Sequence, residues 1–202
     1  MNGPVLTLLF LVVGLTLTMG WRDWSHRKAT GTSGFRPPKQ PWTPAWFGSV
    51  LFGISLLLGL LSPVLVLTGV VPTYWDSGLA GLVGGSAVAL GGLLGILWSQ
   101  GAMGNSWRIG VQEDERTQLV AGGPFRVVRN PIYIAIATFG VGLFLLTPST
   151  LGLIAVAGLV TAIQIEVRLV EEPYLRRMHG EAYVAYCRQV GRFVPWLGRS
   201  RE

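Results

Sequence analysis

Long apolar stretches bounded by charged or turn-forming residues dominate the pattern of the chain. Each stretch is close to the ~20 residues that a helix needs to cross ~30 Å of hydrocarbon. There are five of them, at residues 4–20, 45–68, 78–99, 131–147 and 149–167. The pattern therefore predicts an all-α, polytopic membrane protein with five transmembrane helices.

The first stretch and the last two have features that refine this prediction. The first stretch has the length of a signal peptide, but it lacks a basic region before the apolar run and a small-residue cleavage site, so we expect a retained helix. The last two stretches are separated only by Thr147, Pro148 and Ser149. Because proline disfavours helical geometry in the residue before it, spans four and five are predicted to form a tight C-terminal helical hairpin.

The basic residues lie between the apolar stretches in a one-sided pattern. All 16 Lys and Arg residues fall in segment 21–44, in segment 100–130 or in the tail from 168, whereas connections 69–77 and 147–149 carry none. The positive-inside rule makes the basic segments cytoplasmic, so the N-terminus is predicted outside and the C-terminus inside. We expect a multi-pass protein of a prokaryotic plasma membrane.

Composition supports the membrane class and disfavours several others. Of 202 residues, 50% are hydrophobic and 13% charged, about half the charged share of an ordinary soluble domain. Most of the net charge of +6 is a topology signal and does not indicate a nucleic-acid partner. A single cysteine and two distant histidines predict neither an internal disulfide nor a metal site. Glu166 is the only acidic or basic residue in any span, which disfavours ion-coupled transport.

The third span carries small residues at a spacing that suits helix packing. Gly81 and Gly85, and then Gly91 and Gly95, lie four residues apart. Such spacing lets a neighbouring helix approach the backbone closely. We interpret these glycines as packing positions and assign no site to them.

The chemistry of the chain is predicted in its second half. We divide the sequence into residues 1–100, with three spans and a basic loop at 21–44, and residues 101–202, with a cytoplasmic connector, spans four and five and an amphipathic tail. Polar blocks concentrate in the second part, at 103–111, 122–133, 166–175 and 179–197. The loop at 29–44, rich in Gly and Pro, carries no recognisable chemistry.

Two of these blocks contain candidate binding residues. In the first, Asn130 and Pro131 form a predicted helix start, whose positive end could receive an anion beside Arg126 and Arg129. The alternative is that these arginines contact lipid headgroups and only fix topology.

The other candidate residues are acids that follow span five. Glu171 and Glu172 come about one turn beyond the span, with Arg168 on the same helical face. They could bind ribose hydroxyls, an ammonium or a sulfonium. Alternatively, they neutralise neighbouring arginines such as Arg176 and Arg177.

The last block alternates aromatic and basic residues. Tyr183, Tyr186, Phe193 and Trp196 lie among the arginines of the tail. This composition is typical of an amphipathic helix at the membrane surface, so we interpret it as a membrane anchor.

The order of these blocks resembles the isoprenylcysteine carboxyl methyltransferase family and its phospholipid N-methyltransferase relatives. Residues 123–133 match Gly-Pro-(Tyr/Phe)-Arg-x-x-Arg-(His/Asn)-Pro-x-Tyr, and residues 168–175 match Arg-x-x-Glu-Glu-x-x-Leu. Residues 180–195 match Gly-Glu-x-Tyr-x-x-Tyr followed by Arg-Phe-x-Pro. The resemblance covers residues 103–198, whereas residues 1–100 match only as apolar helices.

The resemblance implies an integral membrane methyltransferase that uses S-adenosyl-L-methionine from the cytoplasm and a lipophilic acceptor from the bilayer. The chemistry of methyl transfer makes Arg126, Arg168 and Glu172 the catalytic candidates, since either arginine could orient a carboxylate acceptor and Glu172 could take a proton. Many relatives carry His where this chain has Asn130, which cannot titrate. By the same resemblance, the cofactor pocket would be formed by Leu119, Val120, Gly123, Pro124, Arg129, Asn130, Pro131, Tyr133, Glu171 and Glu172.

The sequence leaves the acceptor and the competing functions open. A carboxylate acceptor needs no general base, so O-methylation is favoured over methylation of an amine or phospholipid headgroup. The other hypotheses are a small NADPH-dependent membrane reductase and a helical scaffold that binds anionic lipid. No residue pattern predicts the oligomeric state.

Overall fold

The protein is all-helical in the computed structural model, which describes residues 3–110 and 118–199. Two π-helical turns, Thr16–Trp21 and Glu166–Glu171, join α1 to α2 and α6 to α7. No strand forms within the described ranges, where extended residues pair only as isolated bridges. The all-α prediction is therefore confirmed. The helices are α1 (Gly3–Leu15), α2 (Arg22–Thr30), α3 (Pro44–Leu67), α4 (Gly78–Met103), α5 (Pro131–Leu146), α6 (Thr150–Ile165), α7 (Glu172–His179) and α8 (Glu181–Gln189).

Four helical runs are long and apolar enough to cross a membrane. They are Gly3–Thr30, Pro44–Leu67, Gly78–Ser106 and Thr150–His179. The remaining predicted span is α5, an apolar helix of 16 residues that would reach only about 24 Å. The prediction of an integral membrane protein is thus supported, while the five-span arrangement stays a prediction.

The helix boundaries follow from local sequence signals. Ser149 caps α6, because its hydroxyl accepts a hydrogen bond from the Gly152 backbone nitrogen at 3.1 Å, and the predicted α5–α6 hairpin forms around it. Thr43 caps α3 in the same way, with Pro44 following as the first helical residue. The predicted loop at 21–44 is only partly a loop, since α1 continues through the π-helical turn into α2.

Five helices surround the centre of the molecule. In the order α1, α4, α5, α6 and α3, each contacts the next, and α3 returns to α1. The close α4–α5 contact requires glycine at two positions. A Cβ atom at Gly92 would lie 2.4 Å from the Phe139 backbone nitrogen, and one at Gly142 would lie 2.3 Å from the Ala89 backbone nitrogen. The predicted role of small residues is confirmed at Gly85 and Gly95, which α5 approaches closely, whereas Gly91 faces open space.

Buried hydroxyl pairs join the helices at the end of the ring where α5 meets α6. Thr7 of α1 and Thr147 share a hydrogen bond of 2.8 Å, and Ser62 of α3 and Ser149 share one of 2.7 Å. Three of these residues lie at the cavity described below, so the pairs help to close this end of it.

Candidate active site

The ring of helices surrounds an open cavity of about 720 Å³. One part of it is apolar and is lined by side chains of all five ring helices, such as Leu11, Phe52, Leu93, Phe139 and Leu159. The other part is polar and lies where α4, α5 and the Glu166–Glu171 turn meet the connecting segments. A single cavity therefore joins the apolar interior to a polar end.

Two hydrogen-bonded pairs define the polar end. The Tyr133 hydroxyl donates to Glu171 Oε1 at 2.6 Å, and Arg108 Nη2 donates to the Tyr174 hydroxyl at 3.2 Å. The Arg108 guanidinium also lies 5.2 Å from the centre of the Tyr174 ring, within cation–π distance. All four residues line the cavity, so carboxylate, phenol and guanidinium groups can face one ligand.

The segment from Ser33 to Pro38 covers the polar end. Asp23 of α2 accepts hydrogen bonds of 2.8 Å from the Ser33 hydroxyl and the Gly34 backbone nitrogen, which fixes the start of the segment. Arg36 then donates from its backbone nitrogen to the Ile109 carbonyl at 2.8 Å. Arg36, Pro37 and Pro38 line the cavity. This part of the loop therefore belongs to the site, although its sequence suggested no chemistry.

Arg129 and Glu172 hold the C-terminal segment in place. The Arg129 side chain is 4% exposed, and all five of its N–H groups donate hydrogen bonds. Glu172 also accepts from Arg192 at 2.8 and 2.7 Å. We name this group of contacts the C-terminal clasp. The acceptors of the Arg129 bonds are Glu172, which takes two, and the carbonyls of Cys187, Val190 and Gly198.

Helix α8 completes the wall with its inward face. Tyr183 is 2% exposed and Tyr186 donates to the Phe125 carbonyl at 2.6 Å, so these tyrosines pack into the protein, contrary to the membrane-anchor interpretation. Burial raises the pKa of the Cys187 thiol, and the hydrogen bond to Glu172 raises the pKa of Arg192. Trp196 alone of the predicted anchor residues is highly exposed, at 74%.

The predicted site residues fall into three groups in the structure. Those on the cavity wall are Leu119, Val120, Arg129, Asn130, Tyr133 and Glu171. Gly123, Pro124, Pro131 and Glu172 lie off the wall, and of these Pro131 and Glu172 directly follow a wall residue in the chain. Arg126 and Arg168 are exposed, and Arg168 donates to Gln164 at 2.7 Å. The roles assigned to all of these residues stay predictions.

Two details differ from the sequence-based interpretation of the Asn130 region. Pro131 does begin α5, but the Asn130 side chain forms no capping bond. Instead, its Nδ2 donates to the Arg192 carbonyl at 3.2 Å and holds the C-terminal segment beside α5. Asn130 therefore supports the position of the clasp.

Sequence reasoning missed several wall residues that the fold brings together. Arg108 and Tyr174 lie 66 positions apart, and no local pattern pairs them. Glu166 did stand out in the sequence as the one acidic residue in a span, but it was not assigned to the site. The missed residues on the wall include Arg36, Gln100, Arg108, Glu166, Tyr174 and Tyr183.

These features define a class: a helical membrane protein with an internal cavity that is polar at one end and apolar along the rest. Comparison with protein families is more specific, since residues 79–182, just over half of the chain, match the phospholipid methyltransferase family. The chain belongs to this family of integral membrane methyltransferases, which includes the isoprenylcysteine carboxyl methyltransferases. No curated protein and no solved structure matches this chain. The family resemblance found in the sequence is thereby confirmed.

Proposed function

We propose that the protein transfers a methyl group from S-adenosyl-L-methionine to a lipophilic acceptor that enters from the bilayer. The observation that carries this proposal is the single cavity, because one end suits a charged donor and the rest suits a hydrocarbon chain. Its volume of about 720 Å³ lies within the usual range of ligand sites, ~300–1,000 Å³.

The chemistry of the polar end fits the donor. Glu171 can bind an ammonium or a ribose hydroxyl with one carboxylate oxygen while the Tyr133 hydroxyl donates to the other. The arginines of the wall suit a carboxylate. Arg36 and Arg108 both line the cavity, and we assign that contact to them. When bound, the donor would supply a methyl group already activated by its positive sulfur.

The remaining work of the protein is positioning and exclusion of water. Methyl transfer requires the acceptor atom, the methyl carbon and the sulfur to lie in line, and holding reactants in such geometry lowers the barrier substantially. The ring helices surround the reaction volume with apolar side chains, while the Ser33–Pro38 segment covers its polar end. Both features keep bulk water away from the sulfonium.

We further propose that the polar end is cytoplasmic and that α5 crosses the membrane as the fourth of five spans. The covering segment, the clasp and their arginines all belong to the basic stretches of the sequence, which the positive-inside rule places inside. Exposed tryptophans flank this end at Trp21, Trp24, Trp42 and Trp196, as expected for an interfacial aromatic belt.

Ligand binding to the purified protein tests the assignment. We expect S-adenosylhomocysteine to bind, Glu171→Gln to weaken it at least tenfold, and Glu181→Gln, which removes an exposed carboxylate, to leave it unchanged. Binding of NADPH without S-adenosylhomocysteine would instead favour the reductase hypothesis. Radiolabelled S-adenosyl-L-methionine added to membranes then shows which lipid fraction becomes methylated.

A further inference from the structure

One carboxylate faces the cavity away from the pairs described above. Glu166 begins the π-helical turn after α6 and lines the cavity together with its neighbours Ala162 and Ile163. Glu171 ends the same turn five positions later, so Glu166 lies at the end of the turn nearer to α6. Glu166 therefore lies where the polar end passes into the apolar part.

The surroundings of Glu166 leave its carboxylate available to a ligand. A Cβ atom at Gly48 of α3 would lie 3.1 Å from Glu166 Oε2, so the glycine provides the space that the carboxylate occupies. Across residues 3–110 and 118–199, Glu166 receives no hydrogen bond and has no ion-pair partner. Ionisable groups at such depth are costly and usually mark a functional site.

The charge of the Glu166 carboxylate determines which class of acceptor can bind beside it. A second carboxylate beside Glu166 would be repelled, and Glu171 adds to that repulsion because the two acids interact electrostatically. An alkyl ammonium would form an ion pair with Glu166 while its hydrocarbon chain occupied the apolar cavity. The carboxylate acceptor favoured by sequence reasoning is therefore disfavoured at this position.

We propose that Glu166 binds the amine of the acceptor and takes its proton, and so selects amines over carboxylic acids. The proposal rests on the proposed methyl transfer. A proton moves from the ammonium to a Glu166 carboxylate oxygen, which frees the nitrogen lone pair. The nitrogen then attacks the methyl carbon, a C–N bond forms as the C–S bond breaks, and the electron pair of the broken bond stays on sulfur.

The test compares two lipophilic probes that differ only in their reacting group. Binding of tetradecylamine and tetradecanoate is measured without methyl donor in nanodiscs of uncharged lipid, with empty nanodiscs as the reference. We expect the wild type to prefer the amine by about 30-fold, since breaking a buried charge pair has at least this effect. Glu166→Gln should reduce the preference to within about threefold while S-adenosylhomocysteine binding persists. Glu181→Gln, with the same change in net charge, should keep the full preference.

The outcomes separate this proposal from the proposed function. An amine preference that is absent in the wild type, or equal in wild type and Glu166→Gln, overturns the role of Glu166 even if S-adenosylhomocysteine binds. If the wild type binds no S-adenosylhomocysteine but shows an amine preference that Glu166→Gln abolishes, the amine site is supported and the proposed methyl transfer is contradicted. If Glu166→Gln fails to fold, Glu166→Asp decides: it supports the proposal if it retains the preference, and contradicts it if it folds without one.

Discussion

The C-terminal clasp gives a prediction that can be measured without a substrate. Replacing Arg129 with Gln removes the cation that bonds to Glu172 and to the carbonyls of Cys187, Val190 and Gly198. The segment after α8 would then lose the side-chain bonds of Arg129, while the backbone bonds of Arg129 and Asn130 to the carbonyls of Gly191 and Arg192 remain. Cys187 reports on this event, because it is the one cysteine of the chain and is 3% exposed.

The size of the effect follows from the partners that remain. Removing one member of a buried ion pair costs about 3–5 kcal/mol. Arg192, which bonds to Glu172 at 2.7 Å, is still present in the variant, so we expect the lower value, about 3 kcal/mol. Because 1.4 kcal/mol corresponds to a factor of ten, the opened population should rise on the order of 100-fold.

The assay follows alkylation of Cys187 by a maleimide under native conditions. Arg129→Gln should label on the order of 100-fold faster than the wild type, whereas Arg126→Gln, a change at an exposed arginine, should label at the wild-type rate. The positive charge of Arg129 lowers the pKa of the thiol, so its loss from the closed state would slow labelling. Faster labelling therefore reports opening, and equal rates in all three proteins, with unchanged helix content, would refute the clasp.

The remaining predictions concern packing, one hydrogen bond and the ligand. Gly92→Ala should reduce the free energy of unfolding by about 1–3 kcal/mol and so lower the thermal midpoint, because its Cβ would lie 2.4 Å from the Phe139 nitrogen. Gly91→Ala should leave the thermal midpoint unchanged, because nothing lies near its Cβ. Tyr186→Phe should destabilise the protein by about 1 kcal/mol, measured by denaturant titration, through loss of a 2.6 Å bond. S-adenosylhomocysteine at 100 times its Kd should add about 2.7 kcal/mol to the free energy of unfolding, and Glu171→Gln, which binds at least tenfold more weakly, should reduce this gain to about 1.4 kcal/mol or less at the same concentration.

The helices could be predicted because membrane spans need only local information. Lengths of apolar runs located α3, α4 and α6, and Pro148 marked the hairpin between α5 and α6. Two features were missed for a physical reason. The π-helical turns have no sequence signature in this chain, and α2 is charged, so its helix depends on continuation from α1 rather than on apolar periodicity.

The site was predicted unevenly because its contacts are long-range. Tyr133 and Glu171 were named from motif resemblance, and the structure joins them with a hydrogen bond. The motif alone did not show that Glu172, the next residue, is engaged by Arg129 and Arg192 and lies off the cavity wall. Adjacent residues on a helix face different directions, so a motif does not separate a wall residue from a clasp residue.

The π-helical turn explains how one helical run serves both tasks. In a regular α-helix, Glu166 and Glu171 would point about 140° apart, because each residue turns the chain by 100°. The wider i to i+5 turn brings residues five apart closer to one face, and both acids line the cavity here. Glu172 then points toward α8 and the C-terminal segment. The extra residue of this turn thus couples the cavity wall to the clasp, so any change that regularises the helix would disturb the acidic wall and the C-terminal attachment together.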